Sequence, residues 1–269
     1  MKDSKRLIRI LEQAKQTVSP ITCSAFFGFY LKEEGIIQKV VNHYLLQTNA
    51  EAALIDSMNK LDKGLKVTLY KGHLLSDNLY KAIEFGVSRA KKFNQVVTTE
   101  AHALEGILSS LSDKESWQDI LQLVSTTHDL LVTLPLPTLP SYLPKHAEAA
   151  SVFEKKEILD FVKEHFGLRW TEQVQKMLIE NNGVVLIVRE NSRLIGFCCY
   201  QKQNAGRVVF GPMGVRKDCR NSGYGRSLVL SALHDVNEQS FREFIISEAG
   251  PIEFYERILP LKLHTKEKG

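Results

Sequence analysis

The segment Gly211-Pro212-Met213-Gly214-Val215-Arg216-Lys217-Asp218-Cys219-Arg220-Asn221-Ser222-Gly223-Tyr224-Gly225-Arg226-Ser227-Leu228 contains the spacing Arg220-x-x-Gly223-x-Gly225, whose chemistry is that of an anion site. Glycines let a backbone turn so that successive N–H groups converge, and the amino end of a following helix adds partial positive charge. Arg220 and Arg226 supplement that field. Gly223 and Gly225 have no Cβ and so permit close approach by a diphosphate. Val208 to Val215 reads as a strand ahead of the loop, and Leu228, Ala232, Leu233 and Val236 fall on one face of a helix behind it. The spacing is neither the dinucleotide Gly-x-Gly-x-x-Gly nor the P-loop Gly-x-x-x-x-Gly-Lys-[Ser/Thr], and the P-loop pattern occurs nowhere in the chain.

Other reactive side chains carry less. Cys23, Cys198, Cys199 and Cys219 lack Cys-x-x-Cys spacing, so neither a zinc site nor a disulfide framework is expected, and no metal. Cys219 abuts the loop, but no histidine is placed to activate it, and it reads as a bystander. Lys and Arg number 35 against 31 Asp and Glu, a net +4 that divides as 16 against 15, or +1, over residues 1–144 and 19 against 16, or +3, over the remainder of the 269 residues. Neither half resembles a binder of phosphate backbones, so nucleic acid is not an expected partner. No apolar run approaches the ~18 residues of a membrane span. The basic start leads into an amphipathic helix pattern and not a signal core, and the expected location is cytoplasmic.

The elements that must hold these residues divide at one place. Pro135, Pro137, Pro140 and Pro144 lie in a single short stretch, which should be extended and stiff. The expected organisation is a helical domain over 1–134, a linker over 135–144 and a mixed domain over 145–269. The leucines between the prolines suggest that this linker lies against one of the domains. Upstream, Leu7, Ile10, Leu11 and Ala14 repeat with helical period, as do Leu79, Ile83 and Val87, and strand-like alternation is nearly absent. Downstream, helices are expected around Ile158–Val162 and Gln173–Ile179. A hairpin of Val184–Val188 and Leu194–Tyr200 turns at Asn191-Ser192, and Arg207–Gly211 and Phe244–Ser247 add strands. The fold class expected is an all-helical half followed by an α/β half with a mixed sheet.

The helical half also repeats itself. Ser4–Lys15 aligns with Ser76–Val87 at an offset of 72, and two stacked copies would bury a face that neither could bury alone. The second copy, running from Leu79 through Thr98-Thr99-Glu100-Ala101-His102-Ala103-Leu104-Glu105-Gly106-Ile107-Leu108, resembles the tandem-repeat Clp amino-terminal domain. The leader there carries an extra residue between Glu100 and His102, and the first copy lacks the Glu-His pair. The resemblance implies a peptide-docking module in which His102 takes part; the plainer reading makes His102 a helix-start residue that packs or caps locally.

The strand, Arg220–Gly225 loop and helix resemble the GNAT N-acetyltransferase superfamily, whose acyl-CoA signature is Arg/Gln-x-x-Gly-x-Gly/Ala at this junction. The resemblance runs from about Glu154 to Ile258. The hairpin ending Ile195-Gly196-Phe197 resembles that family's second and third strands, Phe244–Ser247 its fifth, and Glu253-Phe254-Tyr255-Glu256-Arg257 the helix that follows. No first strand is legible before Phe153, and only Leu261-Lys262-Leu263 remains where the family adds a terminal two-strand hairpin.

What the resemblance implies is direct acetyl transfer from acetyl-CoA to a neutral amine. Met213, Val215, Arg220, Asn221, Ser222, Gly223, Tyr224, Gly225, Arg226 and Ser227 would bind the cofactor, with the fourth-strand backbone stabilising the oxyanion. Tyr255 matches the acid that reprotonates the thiolate; its plain alternative is a core aromatic beside Phe254. Glu248, at the end of a strand, could serve as base directly or through water, or be a solvated carboxylate. The function expected is an N-acetyltransferase with a helical docking module. The alternative is an acyl-CoA-binding sensor or adaptor without turnover. The amine acceptor is open, with a protein or peptide among the candidates, and a homodimer is compatible with the sequence.

Overall fold

The computed structural model describes residues 2–64, 66–92, 95, 97–125, 128–139, 147–237, 239–250 and 252–264. The chain divides into two units, Met1–Thr126 and Thr127–Gly269.

In the first unit, β1 (Lys2–Asp3), α1 (Lys5–Thr17), α2 (Cys23–Tyr30), α3 (Ile36–Thr48) and α4 (Glu51–Leu61) come first. The hairpin β2 (Val67–Tyr70) and β3 (His73–Ser76), α5 (Asp77–Lys92), β4 (Val97–Thr98), α6 (Glu100–Ser110) and α7 (Gln118–Ser125) follow. The offset of 72 has a geometric counterpart. Ser4 caps α1 by accepting from Leu7 N at 2.9 Å, and Ser76 accepts from Leu79 N at 3.2 Å at the start of α5. The segments that lead into the helices pair crosswise: β1 with β4 in parallel, and Ile21 with Leu75. Leu7, Ile10, Leu11, Leu79 and Ile83 are buried, as their helical spacing requires. The β2–β3 hairpin was not legible in the sequence, because Lys71-Gly72 turns it after only four residues a side.

The second unit is built on a seven-stranded sheet. In chain order its elements are β5 (His128–Thr133), β6 (Ala147–Ala149), α8 (Lys155–Phe166), α9 (Leu168–Met177), β7 (Gly183–Glu190), β8 (Arg193–Gln203), β9 (Arg207–Val215), α10 (Tyr224–Asn237), β10 (Glu243–Ala249), α11 (Ile252–Glu256) and β11 (Lys262–Leu263). The spatial order is β11-β5-β10-β9-β8-β7-β6, with β9 and β10 parallel and the other neighbours antiparallel. The apolar runs of β7 and β8 are buried on both faces, as in a sheet covered by helices. Phe197 and Cys199 join Ile158, Phe161, Val162 and Val174 in a core beneath α8 and α9. Their neighbours Cys198 and Tyr200 turn to α10, where Cys198 Sγ lies 3.6 Å from Leu228 O and Tyr200 donates to Asp235 at 3.0 Å.

Three expectations are corrected. The chain divides at 126/127 and not at the prolines: β5 lies before them but is a strand of the second sheet, paired with β10 and β11. Of the expected linker, 140–144 lies outside the described residues, while Leu134 and Leu136 are buried in the second unit. There Leu134 N bonds to Arg242 O, and Leu136 and Asn237 exchange side-chain to backbone bonds. A first strand does exist: β6 pairs with Leu186–Val188, and its Ala-Glu-Ala sequence gave no β-branched signal. The edge beyond β10, where a terminal hairpin appeared to be missing, is covered by β5 and β11.

Candidate functional site

Strands β9 and β10 pair from Arg207↔Glu243 to Phe210↔Ile246, and there the ladder stops. Both strands continue, β9 to Val215 and β10 to Ala249. The cause is local. Gly211 sits at φ +129, a conformation L side chains rarely adopt, and Pro212 has no N–H to give a ladder. The register with β8 shifts at the same place, between Cys198 and Tyr200. Two parallel strands therefore part at their carboxyl ends, and backbone polar groups of Met213 to Val215 lose β10 as a ladder partner.

The glycine loop leaves β9 at that end. Arg220 Nε donates to Val215 O at 2.9 Å, tying the loop to the strand, and burial lowers the guanidinium's affinity for its proton. Arg216, itself buried, forms an ion pair with Asp218. Asn221 and Gly223 take positive φ, +69 and +88, and a Cβ on Gly223 would meet nothing within 4 Å. The first helical bond of α10 is Ser227 N to Gly223 O, so the N–H groups of Tyr224, Gly225 and Arg226 precede it with no carbonyl inside the helix to bond. Asn221, Ser222, Gly223 and Arg226 are exposed, whereas the Tyr224 and Ser227 side chains are buried and the Tyr224 hydroxyl bonds Glu190. Tyr224 and Ser227 can therefore offer a ligand their backbone only. Cys219 is half-buried beside Asp218, and burial raises its thiol.

Helix α11 closes the site from the side of α10. The Phe254 ring packs on Gly225, where a Cβ would lie 3.2 Å from Cζ. Tyr255 packs edge-on against Phe254, with centroids 4.9 Å apart, and is buried, which pushes its phenol above the ordinary value. Glu248 lies across the sheet from it. Its carboxylate accepts from Arg169 Nη2 of α9 at 3.0 and 3.3 Å, and both side chains are largely exposed. Because α9 packs on the sheet face opposite α10, this pair ties the carboxyl end of β10 to the α9 layer. Asp129 of β5 stands behind Glu248: Oδ1 accepts from Glu248 N at 2.9 Å and from Ser247 Oγ at 3.3 Å. Arg169 and Asp129 were missed in the sequence, Asp129 because it precedes the prolines and seemed to belong to the other unit.

His102 lies elsewhere. Its Nδ1 accepts from Thr99 N at 3.1 Å while Thr99 Oγ1 caps α6, a capping box. Glu100 of the same leader is buried against Ser4, Arg6 and Gln38. The side chains of Thr99, Glu100 and His102 are thus used by the fold. Among the described residues there is no group of three or more His, Cys, Asp or Glu placed to hold a metal ion, and no helix long and apolar enough to cross a membrane.

Residues 151–259 match the model of the acetyltransferase (GNAT) family. Strands β5, β6 and β11 lie outside the matched residues but belong to the same sheet. No curated protein matches the chain. Similar solved structures include the glucosamine N-acetyltransferase region of a fungal multi-domain GH3 β-N-acetylglucosaminidase, at 15% identity over 57% of this chain and 22% of that one, TM-score 0.46. This chain thus spans under a quarter of the fungal protein. A GNAT family N-acetyltransferase from Escherichia coli in complex with CoA is 16% identical over 45% of this chain and 71% of that one, TM-score 0.39. The ribosomal-protein-alanine N-acetyltransferase from Brucella melitensis biovar Abortus 2308 is 13% identical over 46% and 95%, TM-score 0.38.

Proposed function

We propose that the second unit transfers an acetyl group from acetyl-CoA directly to an amine. The observation that carries this reading is the parting of β9 and β10 after Phe210–Ile246, with the glycine loop at the end of β9 and Tyr255 behind it. In this reading the exposed rim of Asn221, Ser222, Gly223 and Arg226 and the first N–H groups of α10 receive the cofactor's diphosphate. Arg220 acts mainly as a brace for that loop. The thioester arm enters the gap, where backbone groups of Met213 to Val215 bind it and stabilise the oxyanion formed when the amine attacks the carbonyl. Collapse of that intermediate breaks the C–S bond, and the sulfur leaves with the electron pair.

Tyr255 meets the departing sulfur. Its raised pKa keeps the phenol neutral, so it is able to donate. Complete proton transfer to an alkyl thiolate is uphill for a phenol raised above its ordinary value of about 10, so hydrogen bonding to the developing charge is its larger contribution. Glu248 takes the proton from the incoming ammonium, directly or through water, exchanging Arg169 for the acceptor; exposed ion pairs are weak enough for this exchange. That same pair also favours a second reading, an acyl-CoA sensor without turnover, because it occupies the carboxylate a base would need.

Residues 1–126 are assigned to docking of a protein or peptide acceptor. The crosswise-paired leaders and matched serine caps support the tandem-repeat part of this reading. Exposed Val67, Leu69 and Leu74 on the β2–β3 hairpin support the docking part. The test is a screen of peptide, α-amine, polyamine, amino-sugar and aminoglycoside acceptors for release of free CoA thiol. Acceptor-dependent release is expected. Tight acetyl-CoA binding with no release for any acceptor class would favour the sensor.

A further inference from the structure

Asp129 is separated from the loop, the splay and Tyr255 in sequence, and it lies outside the residues that match the family. We propose that Asp129 is a positioning residue for the acceptor side of this site: its carboxylate holds the backbone of β10 in the bulge that turns Glu248 to the mouth where β9 and β10 part. The proposal rests on the acetyltransferase reading above and adds to it a residue contributed by a strand from before the prolines.

The register requires something of this kind. Ile246 pairs with Leu130 and Ala249 with His128, so Ser247 and Glu248 together oppose the single residue Asp129. One extra residue in a strand re-aims a side chain that strict alternation would send to the other face. Glu248 accommodates it at φ +48, a conformation uncommon for a residue with a Cβ that persists only where its surroundings hold it. The Asp129 carboxylate is what holds it, taking Glu248 N and Ser247 Oγ on one oxygen in place of the backbone carbonyl a regular ladder would supply. Asp129 is itself anchored from its other side, where its main-chain oxygen accepts from His264 N at 2.9 Å. Arg169 then meets the Glu248 carboxylate from α9. Without the clamp, Glu248 would relax toward extended backbone and its carboxylate would leave the mouth. The work asked of Asp129 is acceptance of hydrogen bonds, which an amide oxygen also performs, with weaker bonds than a carboxylate makes.

That shared capacity supplies the test. Wild type, Asp129→Asn and Asp129→Ala are compared in the full chain by amide hydrogen exchange over residues 246–249, by calorimetric affinity for acetyl-CoA and by steady-state thiol release with a working amine. Asp129→Ala should lose protection at Glu248 and drop kcat/KM for the acceptor by roughly 10- to 100-fold, the effect of misplacing a reacting group by about 1 Å. Asp129→Asn should restore both, and acetyl-CoA affinity should be the same in all three. Equal impairment of Asn and Ala would overturn the proposal in favour of a role for the charge. Wild-type turnover in Asp129→Ala would overturn it in favour of a bond that serves the fold only. A wild type that binds acetyl-CoA but acetylates no amine removes the reaction and the positioning role together, and it is told apart from failure of the clamp by intact protection at Glu248.

Discussion

Arg220 Nε donates to the Val215 carbonyl oxygen at 2.9 Å, so the first residue of the glycine loop is fastened to the last residue of the strand that feeds it. The arginine expected to meet a diphosphate thus braces the loop that is proposed to receive one. Arg220→Lys keeps the charge but cannot reproduce the planar fork. Acetyl-CoA affinity is expected to fall by about tenfold in both Arg220→Lys and Arg220→Ala, consistent with loss of one charge-assisted hydrogen bond of about 1.5 kcal/mol. If Arg220→Lys binds as tightly as wild type in calorimetry, charge and not bracing is what the position supplies.

Tyr255 is buried against Phe254, whose ring in turn packs on Gly225 of the loop. Tyr255→Phe removes one oxygen and leaves that packing intact. The single-turnover rate should fall by roughly 10- to 100-fold when the hydrogen bond to the developing thiolate is lost, with acetyl-CoA affinity unchanged. Since burial raises the phenol, the wild-type rate should show no Tyr255-dependent decline below its ordinary value near pH 10. An unchanged rate in Tyr255→Phe would make the residue a core aromatic.

Burial, with the Arg89 cation second, holds the His102 imidazole at about 4 against 6.5 when unperturbed. Between those values the unfolded chain binds a proton that the folded unit refuses. The stability that neutral His102 contributes is therefore fully present above pH 6.5 and is lost as pH falls toward 4. His102→Gln keeps a capping-box partner for Thr99 while removing the titration. Urea unfolding should give this variant near wild-type stability at pH 7 and a smaller loss between pH 6.5 and 4. The same loss in both proteins would assign the acid sensitivity to other groups.

The parts of the site that were legible in the sequence share a strong local cause. Arg220-x-x-Gly223-x-Gly225 constrains backbone conformation directly, and the runs Val184–Val188 and Leu194–Tyr200 are β-branched or apolar enough to name their strands. Ser4 and Ser76 matched because each caps a helix of the same pattern. What could not be read depends on partners distant in the chain. His128–Thr133 gives no hint that it pairs with Glu243–Ala249, and the prolines after it suggested a boundary that the sheet crosses. The Ala147–Ala149 strand is too short and too weakly β-forming to stand out. Asp129 and Arg169 acquire meaning only through Glu248, from 119 and 79 residues away.

Acetyl transfer by this unit requires first that acetyl-CoA be held at the 220–227 loop. Gly223 lies at φ +88 with open space where a Cβ would stand, so Gly223→Val adds local strain of roughly 1–2 kcal/mol and a branched side chain before the first N–H groups of α10. Nothing in the core opposes it, and cooperative thermal unfolding should persist with a modestly lower Tm. Calorimetric titration of acetyl-CoA into wild type and Gly223→Val is the most direct test. Binding by wild type and its loss in the folded variant is the predicted result; equal affinity in the two would contradict the assignment.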